Sequence, residues 1–186
     1  MQFNRHFNLE GQHAPFSPSQ SSWLRYDDDK TLEYYSNKKA AEKGTRLHEW
    51  AKETILLGIR QPDSKQTLYS YINDAIGFDM KPEVVLYYSD NFFGTADSIS
   101  FRKNPETGKN ILRIHDLKTG KTPVHIEQLE IYAAIFCLEY GVKPRDIDIE
   151  LRIYQNDEVW FHNPKPEDII HIMNRIVHLD NLIKEA

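Results

Sequence analysis

Cysteine is almost absent: Cys137 is the only one in 186 residues. One thiol excludes a disulfide framework, a zinc–thiolate centre and an iron–sulfur cluster built within a single chain. Its setting, Ala133-Ala134-Ile135-Phe136-Cys137-Leu138, reads as the buried face of a helix, so a packed thiol is expected. No apolar run approaches the ~20 residues that a membrane-spanning helix needs. The first residues, Met1-Gln2-Phe3-Asn4-Arg5-His6, carry no apolar region of a secretion signal, and a cytoplasmic protein is expected. Positive charge is not in excess either: the net charge is −5. That counts against coating a nucleic-acid duplex by charge alone. It does not count against a site that concentrates carboxylates around bound cations. There is no internal repeat and no low-complexity segment, and the length suits one compact domain with a real core.

What is present is a change of hydrophobic period along the chain. Residues 1–16 read as irregular. Ser17-Pro18-Ser19-Gln20 resembles a helix start, with Ser17 as N-cap ahead of a short helix carrying Trp23 and Leu24. Asp27-Asp28-Asp29-Lys30 reads as a solvated turn, a longer helix is expected from Asn37 to Leu57 with Gly58 as its stop, and another over Ser64–Ile76. From Glu83 the period becomes two, predicting strands near 83–89, 94–103 and 110–118, with Asn104–Gly108 as a turn. A helix over 125–140, strands over 147–154 and 158–162, and a final helix from Pro164 and Pro166 to Lys184 complete the order. In that last helix Ile169, Ile172, Met173, Ile176, Leu179 and Ile183 form one apolar stripe. His171 and His178, seven residues apart, offer a transition-metal alternative for it. The fold class is α/β: a central mixed sheet flanked by helices.

Charged residues interrupt the apolar strands. Leu112, Ile114, Asp116 and Lys118 share one strand face, and Phe93, Thr95, Asp97, Ile99 and Phe101 share another. Burying a charge costs several kcal/mol unless it is paired or holds a metal. If the two strands form a hairpin, Asp97 and Asp116 converge. Such carboxylates suit hard Mg²⁺ or Mn²⁺, which polarise a phosphoryl group and acidify a bound water. Lys118 is then placed to orient that water or to neutralise charge on the phosphate. Alone, Asp116 and Lys118 read better as an exposed ion pair on a solvated face; Asp97, the apolar neighbours and the flanking helices, counted together, weaken that reading. His48, with Ala41, Gly44 and Ala51 on its side of a helix, is either a core histidine or a group brought to the metal. Lys39, Lys43 and Arg46 form a stripe that is either a solvated face or a set of phosphate contacts. Gln128 and Tyr132, at i and i+4, are a surface pair or a support for the lysine, the metal water or a phosphate.

Taken together, these residues resemble the PD-(D/E)XK nuclease superfamily, in its RecB-like and lambda-exonuclease-like branch. The resemblance runs from about Ser17 to Tyr140. Ser17–Trp23 resembles an S-x-S-x-x-x-W/Y helix, and Gly44–His48 a G-x-x-x-H helix. Gly94–Asp97 resembles G-x-x-D, Asp116–Lys121 D-x-K-T-G-K, and Gln128–Tyr132 Q-x-x-x-Y. The family would place a glutamate at Glu83. The resemblance implies a restriction-endonuclease-like core within a single domain over 1–186, of the kind without an iron–sulfur cluster. It implies a Mg²⁺- or Mn²⁺-dependent DNA nuclease with one or two ions, foremost an exonuclease of recombination or repair, of bacterial or phage origin. A DNA-binding module on the same fold and an endonuclease are the alternatives. His48, Asp97, Asp116 and the Leu117 carbonyl would hold metal, with Glu83 for a second ion. Lys118 would be the catalytic lysine, with Gln128 and Tyr132 in support, and Lys39, Lys43, Arg46 and Lys121 would contact DNA. Implied partners are DNA, a recombination or single-strand-binding protein, and further copies of the chain.

Overall fold

A computed structural model describes residues 14–16, 18, 21–120 and 125–185. The chain divides into two units, up to Thr45 and from Arg46 onward.

The N-terminal unit contains a 3-10 turn, Ser21–Arg25, and the first part of helix α1, Asp28–Leu56. The Ser17 cap expected from sequence lies outside the described residues, and Trp23 and Leu24 sit on the 3-10 turn rather than on an α-helix. The acidic run is not a turn. Asp27 caps α1, its Oδ1 accepting the Lys30 amide at 2.8 Å, while Asp28 and Asp29 occupy the first helical turn. Carboxylates there satisfy free amides and meet the positive end of the helix dipole, so the helix begins nine residues before Asn37. Phe16 packs edge-on against Trp23 and stacks on Tyr35 within this unit.

The second unit is mixed α/β. Helix α2 spans Thr67–Gly77, and strands β1 (Lys81–Ser89), β2 (Phe92–Lys103) and β3 (Asn110–Leu117) form a meander. Helix α3 (Glu127–Tyr140) crosses to β4 (Ile147–Gln155), which turns back into β5 (Glu158–His162); helix α4 is Pro166–Lys184. The five strands form one open sheet in chain order, with β3 and β4 parallel and all other pairs antiparallel. Among the described residues no helix is long and apolar enough to cross a membrane.

Each sheet face has its own core. On one face, Leu112, Ile114, Leu151 and Ile153 pack against Leu129, Ala133 and Phe136 of α3, with Ile169 and Ile176 of α4 beyond. Being covered by both sheet and α4, α3 is apolar around most of its circumference, and Cys137 is buried in it. On the other face, Leu117 and Tyr154 meet Tyr71, Ile72 and Ala75 of α2 and Ala51 and Ile55 of α1. Gly58 ends α1 at φ +67°, a backbone that glycine adopts without steric cost.

The stripe expected on α4 is only half buried. Ile169 and Ile176 are core, but Ile183 is 51% exposed, and the fully buried position in the last turns is Asp180. Its Oδ1 accepts hydrogen bonds from Ser89 Oγ at 2.7 Å and Asn91 Nδ2 at 3.1 Å, and Lys184 Nζ is 2.6 Å from Oδ2. The helix end is thus pinned to the β1–β2 turn by polar groups instead of apolar ones. His171 and His178 are both exposed.

Candidate active site

Strand register builds the site. β1 and β2 pair Pro82 with Ser98 and Val84 with Ala96, so Glu83 and Asp97 face each other on the rung between. β2 and β3 pair Ser98 with His115, so the next rung sets Asp97 opposite Asp116. Three carboxylates therefore cross three neighbouring strands on one line, which β4 continues with Ile153.

That line is also where the sheet departs from regularity. Glu83 adopts φ +49°, the left-handed region. Before it, Lys81 pairs with Ile99; after it, Val84 pairs with Ala96 and Leu86 with Gly94, and Val84, Leu86 and Ile99 nevertheless line one cavity, of about 260 Å³. Simple alternation would put residues 84 and 99 on opposite faces. The inversion corrects the face assignment made from sequence: Gly94 and Ala96 join Ile99 and Phe101 on the α3 side. Asp97 is released from that alternation. Its Oδ2 accepts the backbone amide of Leu117, on the neighbouring strand, at 2.8 Å. Asp116 keeps the alternation of β3, with Leu112 and Ile114, and is 3% exposed.

Each carboxylate has a basic neighbour. Lys52 Nζ donates to Glu83 Oε2 at 2.8 Å, His48 Nδ1 is 3.6 Å from Asp97 Oδ2, and Lys118 Nζ is 3.0 Å from Asp116 Oδ2. His48 and Lys52 are one helical turn apart on α1, and Ala51, 1% exposed between them, is part of the α1–α2 core. Lys118 also donates to Gln128 Oε1 at 3.2 Å, so α3 holds its side chain. The Lys118 amide donates to the Tyr154 carbonyl at 2.9 Å, and Gln155 Nε2 donates to the Gly120 carbonyl at 2.6 Å. β4 thereby holds the backbone at Lys118 and Gly120.

Gln128 and Tyr132 do face one way, as their spacing predicts, but they serve different contacts. A Cβ on Gly94 would stand 2.9 Å from Tyr132 Cε1, closer than a side chain tolerates. Glycine at 94 lets the Tyr132 ring lie directly on β2, three residues before Asp97.

The electrostatics are those of anionic groups held close together under cover. Burial first, and then the charge of Asp116, push the Asp97 carboxyl up to about 6, against the opposing pull of His48, the Leu117 amide and Lys118. Burial also raises Asp116, opposed by Lys118 and His48. The Lys118–Asp116 contact lacks hydrogen-bond alignment, and Asp116 Oδ2 is buried without a directed donor. On the opposite face of β3, His115 is fully buried; its Nδ1 is 3.2 Å from the Tyr154 hydroxyl, which donates to Asp74 Oδ2 at 2.6 Å.

Glu83, His48, Asp97, Asp116, Lys118 and Gln128 are thus brought to one row, with Tyr132 braced beside it. Leu117 contributes its amide to Asp97, and its side chain is 2% exposed in the α1–α2 core. The expected DNA contacts fall in three places. Lys39 and Lys43 belong to the N-terminal unit, where Lys39 pairs with Glu42 at 3.2 Å; Arg46 is exposed on α1, and Lys121 lies outside the described residues. Sequence reasoning missed Lys52. Its signal was there: it follows His48 by four residues and so shares its helix face.

Among the described residues, no three or more His, Cys, Asp and Glu side chains are grouped to hold a metal ion. Each carboxylate is turned to an internal partner: Lys52, the Leu117 amide or Lys118. The donors still have the chemistry of a hard-cation site: carboxylate oxygens, one of them buried without a directed donor, and two carboxyls whose ionisation burial disfavours. Comparison of the chain with protein-family models, with curated proteins and with solved structures finds no match.

Proposed function

We propose that this protein is a metal-dependent deoxyribonuclease on a restriction-endonuclease-like core, and foremost an exonuclease acting in recombination or repair. The observation that carries the reading is the convergence of Asp97 and Asp116, opposite each other on one rung of β2 and β3, with Lys118 held between Asp116 and Gln128. Structural ion pairs have no need of two carboxylates side by side, one of them buried and the other largely covered. Mutual repulsion is a cost that a bound cation relieves.

His48, Asp97, Asp116 and the Leu117 carbonyl are the groups that would hold Mg²⁺ or Mn²⁺. When bound, such an ion polarises a phosphoryl oxygen and makes a water more acidic. Lys118 keeps its ammonium beside Asp116, where it orients the attacking water and neutralises charge growing on the phosphoryl oxygens. Gln128 fixes the lysine, and Tyr132, lying on Gly94, fixes the strand that presents Asp97. In the reaction the water oxygen bonds to phosphorus and the ester bond to the leaving oxygen breaks. The water's proton passes through solvent to that oxygen, leaving a phosphomonoester and a hydroxyl.

The test is digestion of end-labelled linear DNA and closed circular DNA, single- and double-stranded, with Mg²⁺, Mn²⁺ or EDTA. Loss of linear DNA alone, abolished by EDTA and slowed at least ~100-fold in Lys118→Met, is the expected result. Cut circles make it an endonuclease. Cation-dependent DNA binding without cleavage by the folded wild type refutes the enzyme and leaves a DNA-binding module.

A further inference from the structure

The third carboxylate of the row already has a cationic partner at one of its oxygens. Glu83 Oε2 accepts a 2.8 Å hydrogen bond from Lys52 Nζ, and its backbone is held at φ +49°. A residue with a side chain stays in that region only where its surroundings fix it, and the bond to Lys52 is one such restraint. Lys52 comes from the helix face that brings His48 to Asp97, so α1 delivers one base to each of two neighbouring carboxylates. Building on the nuclease reading, we propose that Lys52 fills the place of a second divalent cation. The site then takes a single hard divalent ion at its Asp97–Asp116 end, and the Lys52 ammonium supplies the other positive charge.

Charge matching supports one ion over two. Glu83, Asp97 and Asp116 are offset by the Lys52 and Lys118 ammonium groups and one divalent ion to a single net positive charge, counting these groups alone. That equals the one negative charge of a phosphodiester. A second ion beside the two ammonium groups would leave a strongly positive cluster whose like charges repel. The two ends of the row also differ in cover. Asp116 is buried with an oxygen lacking a directed donor, whereas the Glu83 side chain is 35% exposed and already bonded.

The experiment counts Mn²⁺ bound by the full chain, stripped of metal with EDTA and dialysed at neutral pH, using isothermal titration and electron paramagnetic resonance. The wild type should bind one ion per chain and Lys52→Arg also one. Lys52→Met, which removes the ammonium from a side chain 42% exposed, should bind two, and adding Glu83→Gln to it should return the count to one. Two ions in the wild type, one in Lys52→Met, or two in the double variant overturns the role given to Lys52 and leaves the nuclease reading standing. No Mn²⁺ bound by the wild type overturns the metal site itself, and with it both readings.

Discussion

Replacing Asp97 by asparagine should stabilise the metal-free protein while removing its proposed activity. The folded state carries the Asp97 carboxyl from its ordinary 3.8 to about 6, through burial first and the neighbouring Asp116 charge second. A carboxyl raised in this way destabilises the fold when ionised. The cost is absent below the unfolded value, grows between about pH 4 and 6, and is fully present above 6. At pH 7 it comes to about 3 kcal/mol if taken whole. About 1–3 kcal/mol remains after allowing for partial solvent screening. Asparagine keeps an oxygen that can accept the Leu117 amide, so the main structural bond survives. Urea denaturation followed by circular dichroism, in EDTA at pH 7 and pH 4, measures the effect. The variant should gain about 1–3 kcal/mol at pH 7 and close to nothing at pH 4. Millimolar Mn²⁺ should then stabilise the wild type and not the variant, because only a state that binds the ion is favoured by it. A variant less stable than wild type at pH 7 in EDTA, or a gain of the same size at pH 4, would refute the argument that Asp97 is held ionised against its surroundings.

Two further outcomes follow from the packing. Gly94→Ala places a methyl group 2.9 Å from Tyr132 Cε1 and should cost about 1–3 kcal/mol in denaturant unfolding. The double change Gly94→Ala, Tyr132→Leu should recover part of that loss, and a purely additive double variant would show that the ring is not the obstacle. Asp180 is held down to about 2 by Lys184, Ser89 and Asn91, so its contribution is present above its ordinary pKa and is lost as pH falls from about 4 toward 2. Asp180→Ala should lower the midpoint of thermal unfolding at pH 7, and the gap to wild type should narrow below pH 4; an equal gap at pH 7 and pH 2.5 counts against the pin.

Legibility depended on how local the signal was. The helix stop at Gly58, the strands near 94–103 and 110–118, the helix carrying Gln128 and Tyr132, and the mixed sheet all follow from periodicity and turn residues, and the structure has them. The acidic run at 27–30 was misread because Asp is at once a turn residue and a helix cap. Only the chain beyond it, which continues as α1, decides between the two. On α4, an apolar stripe was extended to Ile183 when the buried group there is Asp180, a pairing with Ser89 and Asn91 that no local pattern signals.

By itself, the sequence determined which chemical groups are available and on which kind of element each sits: Asp97 and Asp116 on strands, Lys118 just past one, His48 and Lys52 a turn apart on a helix. Those properties depend on side-chain type and on periods of two and 3.6. The tertiary structure decided which groups meet. Register aligns Glu83, Asp97 and Asp116 on one line; the inversion at Glu83 and Asp97 frees Asp97 from its expected face; and α1 lays Lys52 on Glu83. Such contacts join residues far apart in the chain, and their partners are fixed by the pairing and packing of whole elements, which no window of local sequence contains.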